Sequence, residues 1–420
     1  MQKRDRLDAL RKLVCQLEDE SFSKALVDSY VEDTDFLRKD VITREIRSPI
    51  DIVGQVGVQS EYTAGYNIDL ERMRPLGKVA ILLPYNGINI PVAKAVCSSF
   101  FAGNQTIIRL PGKLKKSDRY YRQLISSCLP GVEFAPLGQP AEDFLNRCIE
   151  STDIGAIVVY GDDKWIWGYK NKFRQHYKKM IFEGPGKDPQ VVMKDADLEK
   201  AVADAVTCGM LNGGQSCSAI ERYFVHRDIE KEFIGRLVDR LNRLKAGYAE
   251  DEETEVGPIS SPTVLGRMIE QVQDARQKGA TVVCGGMPIE IGMGKMGFRP
   301  TVIQGCTTAM QVIQQETFGP FFPILSFSSE AELISKVDDC AYGLNASIYG
   351  ETSNWFNKYM DNNHRNLYFN STVTSPVNRY SRIIDGGFRN SGFVWEWEDS
   401  SFIQREGKRL LLKELSVTVI

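Results

Sequence analysis

Histidine is scarce in this chain. Among 420 residues there are three, His176, His226 and His364, and they lie far apart. None has a metal-ligand partner at the spacing that zinc sites use. The sequence therefore predicts that no metal ion takes part in function.

Paired cysteines are also lacking. The nine cysteines are an odd number, include no Cys-x-x-Cys pair and lie mostly inside apolar runs. This usage is typical of reduced thiols, so we expect a cytoplasmic protein. The positions are Cys15, Cys97, Cys128, Cys148, Cys208, Cys217, Cys284, Cys306 and Cys340.

Neither charge sign is in excess, and no long hydrophobic run occurs. Lysine and arginine number 52 against 55 acidic residues, a formal net charge of −3, which indicates no polyanion-binding face. The densest basic group, Lys113, Lys115 and Lys116, is short and typical of a solvated turn. Apolar stretches stay below the roughly 18 residues of a membrane span. We expect no nucleic-acid partner, no membrane anchor and no export signal.

The chain does contain alternating strands and helices. Its length, with 42% apolar residues, is enough for about two or three domains. Apolar residues recur at helical spacing from Arg6 to about Tyr30, and residues 51–75 alternate as a hairpin arm does. The following strands and helix have short connections, which predicts an α/β fold with a parallel sheet wound by helices. These segments are strands 78–83, 106–109 and 156–160 and helix 91–101.

A second series of elements begins after residues 184–187. It again alternates helix and strand, as α/β crossovers do. The terminal segment 415–420 has an alternating pattern that suits an edge strand or a subunit contact. The predicted elements are helices 198–208, 229–244 and 264–278 and strands 222–226 and 281–284.

One cysteine stands out because of its loop. Cys217 follows the small-residue run Gly213-Gly214-Gln215-Ser216 and precedes a strand. The thiol would lie on a tight turn beside its own backbone N–H, as an activated nucleophile requires. The alternative is a small buried residue without a chemical role.

Two further polar residues follow predicted strands. Glu183 ends an apolar strand before a glycine hinge, where an apolar setting would raise its proton affinity and suit a general base. The alternative is a solvated carboxylate at a strand end. Asn86 follows strand 78–83 in the turn Pro84-Tyr85-Asn86, and asparagine in such a place is usually turn chemistry.

Together these motifs resemble the aldehyde dehydrogenase superfamily, from about residue 75 onward. The separations also match: 23 residues from Asn86 to Arg109, 34 from Glu183 to Cys217 and 99 from Cys217 to Glu316. The five matching elements, in family order, are Pro84-Tyr85-Asn86, Gly103-Asn104 with Arg109, Glu183-Gly184-Pro185-Gly186-Lys187, Gly214-Gln215-Ser216-Cys217 and Glu316-Thr317-Phe318-Gly319-Pro320.

The resemblance implies an oxidoreductase that converts an aldehyde to a carboxylic acid with NAD(P). Cys217 would attack the carbonyl, Asn86 and the Cys217 N–H would hold the oxyanion, and Glu183 would activate water against the thioester. Glu316 would bind the nicotinamide ribose and Phe318 would pack near the nicotinamide ring.

The resemblance also implies the domain organisation. A Rossmann-type cofactor domain would span residues 1–184, with an oligomerisation hairpin at about 51–75. An α/β catalytic domain would span residues 185–388. Residues 389–420 would return to the cofactor domain and the subunit interface.

Two departures from the family pattern concern the cofactor. Arg109 stands where most members have lysine, and Gly112 replaces the glutamate that NAD-preferring members use on the ribose. Without that carboxylate, Arg109 or Lys113 could pair with a 2′-phosphate, so NADP is favoured over NAD. At Gly161-Asp162, a carboxylate at a helix start would compete with the cofactor diphosphate for backbone N–H groups.

For the substrate, the resemblance places several residues around a tunnel. Lys94 would lie two helical turns beyond Asn86, where its ammonium could pair with the carboxylate of a semialdehyde, or alternatively extend to solvent. Gly87 would widen the pocket. The remaining predicted pocket residues are Ser216, Ser218, Asn370, Ser375 and Arg379.

The part before Asn86 is shorter than is usual in the family. Cofactor-domain elements or tetramer contacts could therefore be missing, and we expect a homodimer or a homotetramer. Two other functions stay open: a coenzyme A-acylating dehydrogenase, against which Glu183 argues, and a catalytically silent ligand-binding or scaffold protein on the same fold.

Overall fold

Two β-sheets organise the chain, and the carboxyl ends of several strands in the first sheet face the second. The computed structural model describes residues 1–56, 73–376, 378 and 384–418. In chain order the strands are β1 (Met73–Pro75), β2 (Lys78–Leu82), β3 (Gln105–Arg109), β4 (Val132–Phe134), β5 (Ile154–Tyr160), β6 (Lys179–Glu183), β7 (Asp188–Val192), β8 (Ile220–His226), β9 (Thr281–Cys284), β10 (Pro288–Gly292), β11 (Lys295–Phe298), β12 (Thr301–Gln304), β13 (Phe321–Phe327), β14 (Tyr342–Gly343), β15 (Asn345–Tyr349), β16 (Asn366–Phe369), β17 (Asp385–Arg389), β18 (Gly392–Glu398), β19 (Ser401–Arg409) and β20 (Ser416–Thr418).

The helices lie before, between and after these strands. In chain order they are α1 (Lys3–Glu18), α2 (Glu20–Thr34), α3 (Arg38–Val41), the π-helix π1 (Ile42–Arg47), α4 (Ser48–Val56), α5 (Asn89–Pro91), π2 (Val92–Val96), α6 (Cys97–Ala102), α7 (Asp118–Cys128), α8 (Ala141–Glu150), α9 (Asp163–Trp167), α10 (Lys170–Gln175), α11 (Leu198–Gly209), α12 (Glu230–Leu241), α13 (Pro262–Gln277), α14 (Gln311–Gln314), α15 (Glu330–Asp338), α16 (Asn354–Asn363) and α17 (Leu411–Glu414). The predicted α/β class is confirmed.

The first sheet has nine strands in the order β14-β17-β19-β18-β6-β5-β2-β3-β4. Strands β6, β5, β2, β3 and β4 are parallel, and β18, β19, β17 and β14 continue the sheet in antiparallel fashion. Val79 and Ile81 point into one apolar cluster while Ala80 and Leu82 belong to another. Both faces of β2 are therefore buried, which explains its continuous apolar sequence.

The second sheet has seven strands in the order β16-β15-β7-β8-β13-β12-β9. All neighbours are parallel except β12 and β9. The chain passes from the first sheet to the second between β6 and β7, through Gly184-Pro185-Gly186-Lys187. This short link places the carboxyl end of β6 beside the amino ends of the second sheet.

The N-terminal region differs from its prediction in two places. The single helix expected over residues 6–30 is broken at Asp19, which has an extended backbone. The Asp19 carboxylate accepts the Phe22 N–H at 2.7 Å and thereby caps the start of α2. The predicted hairpin arm at 51–75 is wrong for its first residues, because α4 continues to Val56 and buries Ile52 and Val53. Residues 57–72 of that arm lie outside the described part of the chain.

The C-terminal segment completes the first sheet. Strand β18 pairs with β6, and β19 pairs with both β18 and β17. Strand β17 begins at Asp385, before the boundary predicted at residue 389. The terminal strand begins at Ser416, one residue after its predicted start, and pairs with β1 as far as Thr418, while Leu415 is fully buried. Residues 419–420 of the predicted strand lie outside the described part of the chain.

A buried carboxylate ties the N-terminal helices to the first sheet. Glu45, fully buried on π1, accepts the backbone N–H groups of Ile88 and Asn89, each at 2.9 Å, and the Tyr121 hydroxyl at 2.8 Å. The Asn89 amide donates back to the Glu45 carbonyl at 2.7 Å. Because burial disfavours charge, the pKa of Glu45 is raised despite these donors. Glu45 thereby fixes the helix start that follows Asn86.

Replacing Glu45 by glutamine should lower the free energy of unfolding by about 2 kcal/mol, because one buried N–H donor would then face an amide NH₂ group. Urea unfolding followed by far-ultraviolet circular dichroism measures this change. Glu18→Gln, at an exposed position on α1, is the matched control and should change stability by less than about 0.5 kcal/mol. Equal stabilities of the two variants would contradict the assigned role of Glu45.

Candidate active site

The three side chains predicted to be catalytic line one cavity. Asn86 lies in the turn after β2, Glu183 is the last residue of β6, and Cys217 lies in the turn before β8. All three border a cavity of about 180 Å³ and also a neighbouring cleft of about 330 Å³. The cavity and the cleft therefore meet at these residues, which lie far apart in the sequence.

A close backbone approach brings Glu183 to Cys217. A Cβ atom at Gly186 would lie 1.9 Å from the carbonyl oxygen of Cys217, so no side chain fits there. The link between β6 and β7 thus runs directly against the cysteine turn. The glycine that seemed to be a hinge in the sequence is required for this contact.

The cysteine loop is held by its own polar residues. Gln215 donates to the carbonyls of Asn212 and Pro258, and its side-chain oxygen accepts the Ser260 N–H at 2.8 Å. Gly214 has a φ of 78°, and a Cβ there would lie 2.2 Å from the backbone of Gly319. The cysteine loop therefore packs directly on the segment that contains Glu316 and Phe318.

The thiol of Cys217 is protonated at neutral pH in this environment. Burial, and then the nearby Glu183 carboxylate, raise the pKa of Cys217 to about 11, although Arg44 and Arg365 oppose the shift. Only the thiolate is a strong nucleophile. A base must therefore remove the proton before the thiol can attack a carbonyl.

The apolar setting expected for Glu183 is wrong, because the carboxylate pairs with a buried arginine. Arg365 donates from Nη1 to Glu183 Oε1 at 2.9 Å, and the Arg365 side chain is only 4% exposed. The second carboxylate oxygen, Oε2, is buried and has no hydrogen-bond partner. Glu183 thus has one oxygen held by a guanidinium and one oxygen available to a ligand or a water molecule.

Lys94 lines the cavity, so the alternative of a lysine extending to solvent is wrong. It lies on π2, is 8% exposed, and donates to the Ile384 carbonyl at 3.2 Å. Its ammonium is 4.0 Å from the buried carboxylate of Asp385. Burial lowers the pKa of Lys94 to about 8. Helical spacing predicted that Lys94 lies on the helix after Asn86, but it could not predict that the ammonium would face Ile384 and Asp385.

The larger cleft contains most of the residues predicted to bind the cofactor. Its lining includes Arg109, Gly161, Asp162, Glu316 and Phe318. A Cβ built at Gly161 would meet no atom within 4 Å, so space is open there. Burial and the nearby Glu221 carboxylate raise the pKa of Glu316 above its usual range. These residues fit a dinucleotide site that reaches Cys217.

Lys113 and Gly112 do not line this cleft. Lys113 donates to the Ser260 carbonyl at 2.6 Å, and its ammonium lies 5.0 Å from the centre of the Tyr85 ring. Its predicted pairing with a cofactor phosphate is therefore not supported by its position. Arg109 lies in the cleft lining, and its Nη2 would be 3.9 Å from a Cβ at Gly112. The guanidinium thus lies beside the position where the family glutamate is missing.

Asp162 caps a helix, as its predicted position at a helix start implied. Its carboxylate accepts the Trp165 N–H at 2.8 Å at the start of α9. The N–H group is therefore already engaged. An anionic ligand at this turn would have to displace the carboxylate or bind elsewhere.

A buried ion pair fixes the loop that carries Phe318. Lys187 donates to Glu221 at 2.6 Å, and both side chains are at most 1% exposed. The same carboxylate accepts the N–H groups of Thr317 at 2.7 Å and Phe318 at 2.8 Å. Phe318 has a left-handed φ of 59°, which these bonds hold in place. Removing either charge would leave its partner buried and unpaired.

The predicted substrate residues divide into three groups. Gly87, Ser216 and Ser218 border the cavity. Asn370 and Ser375 are absent from the described lining: Asn370 is exposed and accepts the Gly350 N–H, while Ser375 closes a turn with Thr372. Local turn hydrogen bonds determine both side-chain positions. Arg379 lies outside the described residues.

Several cavity residues were missed by the sequence analysis. Arg44, Tyr160, Arg365 and Tyr368 line the cavity. Asp385 lies behind it, within 4.0 Å of both Lys94 and Arg365. The position of Arg365, a charged residue directly before β16, was the one sequence signal for these missed residues. The sequence gives no indication that Arg365 pairs with Glu183.

Among residues 1–56, 73–376, 378 and 384–418, no group of three or more His, Cys, Asp or Glu side chains could hold a metal ion. In the same part of the chain, no helix has the length and apolar character needed to cross a membrane.

Comparison with known proteins agrees with this geometry. The model of the aldehyde dehydrogenase family matches residues 1–403. A succinate-semialdehyde dehydrogenase (NADP(+)) of Mycobacterium avium strain 104 is 28% identical over 341 residues, covering 81% of this chain and 69% of that protein. A betaine aldehyde dehydrogenase of Brucella ovis is 33% identical over 224 residues, covering 52% of this chain and 45% of that protein.

A solved structure supports the fold independently. The NAD+ complex of an aldehyde dehydrogenase from Bacillus cereus has a TM-score of 0.83, with 23% identity, and covers 99% of this chain and 83% of that chain. The chain belongs to the aldehyde dehydrogenase family, as its motifs predicted. It is an NAD(P)-dependent oxidoreductase that converts an aldehyde to a carboxylic acid.

The raised pKa of Cys217 predicts how fast its thiol is alkylated. Labelling by iodoacetamide should accelerate about tenfold per pH unit from pH 7 towards pH 10, because the thiolate fraction rises until pH reaches the pKa. Glu183→Gln removes a negative charge that raises this pKa and should speed labelling at pH 8, because iodoacetamide reacts with the thiolate already present at equilibrium and does not depend on proton transfer to Glu183. Peptide mass spectrometry separates Cys217 from exposed Cys15.

Arg365→Gln is the matched control for this charge effect. Because Arg365 lowers the pKa of Cys217, its loss should slow labelling at the same pH. If both variants changed the rate in the same direction, the electrostatic account of the thiol would be wrong.

Proposed function

We propose that Cys217 is the nucleophile, Asn86 the oxyanion donor and Glu183 the general base of the aldehyde oxidation. The supporting observation is that these three side chains, from three separate segments, border the same cavity where it opens into the larger cleft. Cys217 attacks the aldehyde carbon and forms a thiohemiacetal. The Asn86 amide and the backbone N–H of Cys217 then stabilise the developing negative charge on oxygen.

The two oxygens of Glu183 have different tasks in this proposal. Oε1 stays paired with Arg365, which orients the carboxylate, while the unpartnered Oε2 accepts a proton. Oε2 first takes the proton of the Cys217 thiol and releases it to solvent. It later takes a proton from the water that attacks the thioester and passes it to the leaving sulfur. Arg109, Glu316 and Phe318 in the larger cleft would hold a nicotinamide cofactor, which would supply the hydride acceptor for the oxidation between these two proton transfers. The products are the carboxylic acid, the reduced cofactor and the restored thiol.

Two variants test these roles. Cys217→Ala should abolish turnover while cofactor binding stays near normal, since the sulfur forms the covalent bond. Glu183→Gln should slow thioester hydrolysis, so that a burst of reduced cofactor at 340 nm is followed by turnover at least about 100-fold slower than wild type. Loss of the burst together with unchanged steady turnover would contradict the role of Glu183, and turnover by Cys217→Ala would contradict the role of the thiol.

NADP is the preferred cofactor in this proposal. Arg109 borders the cleft, its Nε is engaged by the Gln139 carbonyl at 3.0 Å, and its Nη2 lies beside Gly112, where no carboxylate repels a phosphate. Guanidinium groups bind phosphate through paired N–H donors. Both a relative named for NADP and a structure with NAD+ occur among the similar proteins, so this preference rests on Arg109.

Arg109→Gln should lower the ratio of kcat/KM for NADP to that for NAD by at least about tenfold, because the charge that pairs with the 2′-phosphate is lost. Initial rates at 340 nm with each nicotinamide give this ratio. Lys113→Gln is the matched control, since its ammonium donates to the Ser260 carbonyl and Lys113 is not among the cleft-lining residues, and should change the ratio less than about twofold. A larger effect at Lys113 than at Arg109 would reverse the assignment.

We also propose a cytoplasmic homodimer or homotetramer with a cofactor domain, a catalytic domain and a C-terminal segment that returns to the cofactor domain from β17 onward. All nine cysteines are free, as in a reducing compartment. The two sheets support a cofactor domain followed by a catalytic domain, and the pairing of β18 with β6 supports a C-terminal segment that returns to the first. The pair β1 and β20 is a short two-stranded sheet that offers an edge for a subunit contact.

A further inference from the structure

An arginine from the N-terminal helices lies in the wall of the active-site cavity. Arg44, on π1, donates from Nη1 to the Ser216 hydroxyl at 3.0 Å and from Nη2 to the Asn86 carbonyl at 2.7 Å. These two contacts flank the nucleophile and the oxyanion amide. The guanidinium is therefore close to the point where a substrate carbonyl reacts.

Gly87 makes room for this guanidinium. A Cβ at Gly87 would lie 2.8 Å from Nη2 of Arg44, and the backbone φ there is 154°. The prediction that Gly87 widens the pocket is therefore incomplete, because Arg44 occupies the space that the missing side chain leaves. The wall beside Asn86 therefore carries a positive charge.

Arg44 has no acidic partner within ion-pair distance in the part of the chain that the structure describes. Both of its hydrogen-bond acceptors are neutral, and its buried Nε has no acceptor. The other two cations of the cavity are different, since Arg365 pairs with Glu183 and Lys94 faces Asp385. A guanidinium has five N–H donors, so Arg44 keeps donors available for an anion.

We propose that Arg44 binds a carboxylate on the substrate, so that this enzyme acts on short-chain aldehydes that end in a carboxylate. The inference rests on the proposed function of Cys217. A carboxylate matches the planar fork of a guanidinium, and the apolar residues around it, Ile52, Ile90 and Leu211, suit a short aliphatic chain. The chain must be short because Arg44 contacts Ser216, the neighbour of Cys217.

Lys94 is the weaker candidate for the same task. Its ammonium already faces Asp385 and the Ile384 carbonyl. A substrate carboxylate at Lys94 would have to be placed near Asp385, where two negative charges repel. Arg44 acts through space on the carboxylates of Asp40 and Glu45, but neither lies within ion-pair distance of its guanidinium. The anion-binding position is therefore assigned to Arg44 and not to the lysine suggested by helical spacing.

The first test compares two alkylating agents of similar size at Cys217. Iodoacetate carries a carboxylate and iodoacetamide carries a neutral amide, so the ratio of their labelling rates reports recognition of the charge beside the thiol. Arg44→Gln should lower this ratio at least about tenfold, and Arg44→Lys, which keeps the charge but loses the fork, should give an intermediate value. Arg47→Gln, at an exposed arginine on the same π1 segment, is the matched control and should leave the ratio unchanged.

The second test uses turnover. In wild type, kcat/KM for succinate semialdehyde should exceed that for 4-methylpentanal, its neutral isostere, and Arg44→Gln should reduce the ratio of the two at least about tenfold. Succinate should inhibit the wild-type enzyme at least about tenfold more tightly than succinamide. This comparison uses the wild-type enzyme alone, so it does not depend on the folding of a variant. Equal inhibition, or ratios that Arg44→Gln leaves unchanged, would overturn the inference.

Failure of the inference about Arg44 and failure of the proposed function would give different results. Oxidation of 4-methylpentanal that depends on Cys217, without preference for the carboxylate, would overturn the role of Arg44 and leave the proposed function intact. Turnover that persists in Cys217→Ala would instead overturn the proposed function. A wild-type preference for betaine aldehyde, which carries a cation, would also overturn the role of Arg44.

Discussion

The active site depends on a backbone contact that only glycine permits. The link from β6 to β7 passes against the Cys217 carbonyl, where a side chain at Gly186 would lie 1.9 Å away. This contact sets the separation between the last residue of β6, Glu183, and the cysteine turn. A second contact, between Gly214 and Gly319, joins that turn to the loop of Glu316 and Phe318. Main-chain packing therefore holds the thiol, the carboxylate and the cleft close together, which a reaction between them requires.

The charges around the thiol are arranged in opposed pairs. Glu183 raises the pKa of Cys217, whereas Arg365 and Arg44 lower it, and burial exceeds both effects. In the proposed mechanism the protonated thiol becomes reactive when Glu183 accepts its proton, so the carboxylate both raises the pKa of the nucleophile and deprotonates it. The ion pair with Arg365 leaves one carboxylate oxygen available for this task. The inferred role of Arg44 in substrate selection rests on a guanidinium whose hydrogen-bond acceptors are both neutral.

Much of this could be predicted from the sequence because the signals are local. The continuous apolar run of β2, the cap at Asp162 and the glycine-rich turn before Cys217 each reflect the chemistry of a few neighbouring residues. Predictions failed where a distant partner decides the outcome. The apolar setting of Glu183 was wrong because Arg365, 182 residues away, pairs with it. Asn370 was placed in the pocket by analogy with relatives, whereas its side chain bonds to Gly350.

The amino-acid order determines the family, the α/β class and the identity of the reacting groups, because nucleophile, amide and carboxylate must each occupy a turn whose shape short motifs encode. The tertiary fold decides which charges surround those groups. Arg44 meets Ser216 across 172 residues, and Lys94 meets Asp385 because a helix and a sheet edge pack together. Electrostatic interactions act through space, and a linear sequence does not record which charged side chains will become neighbours.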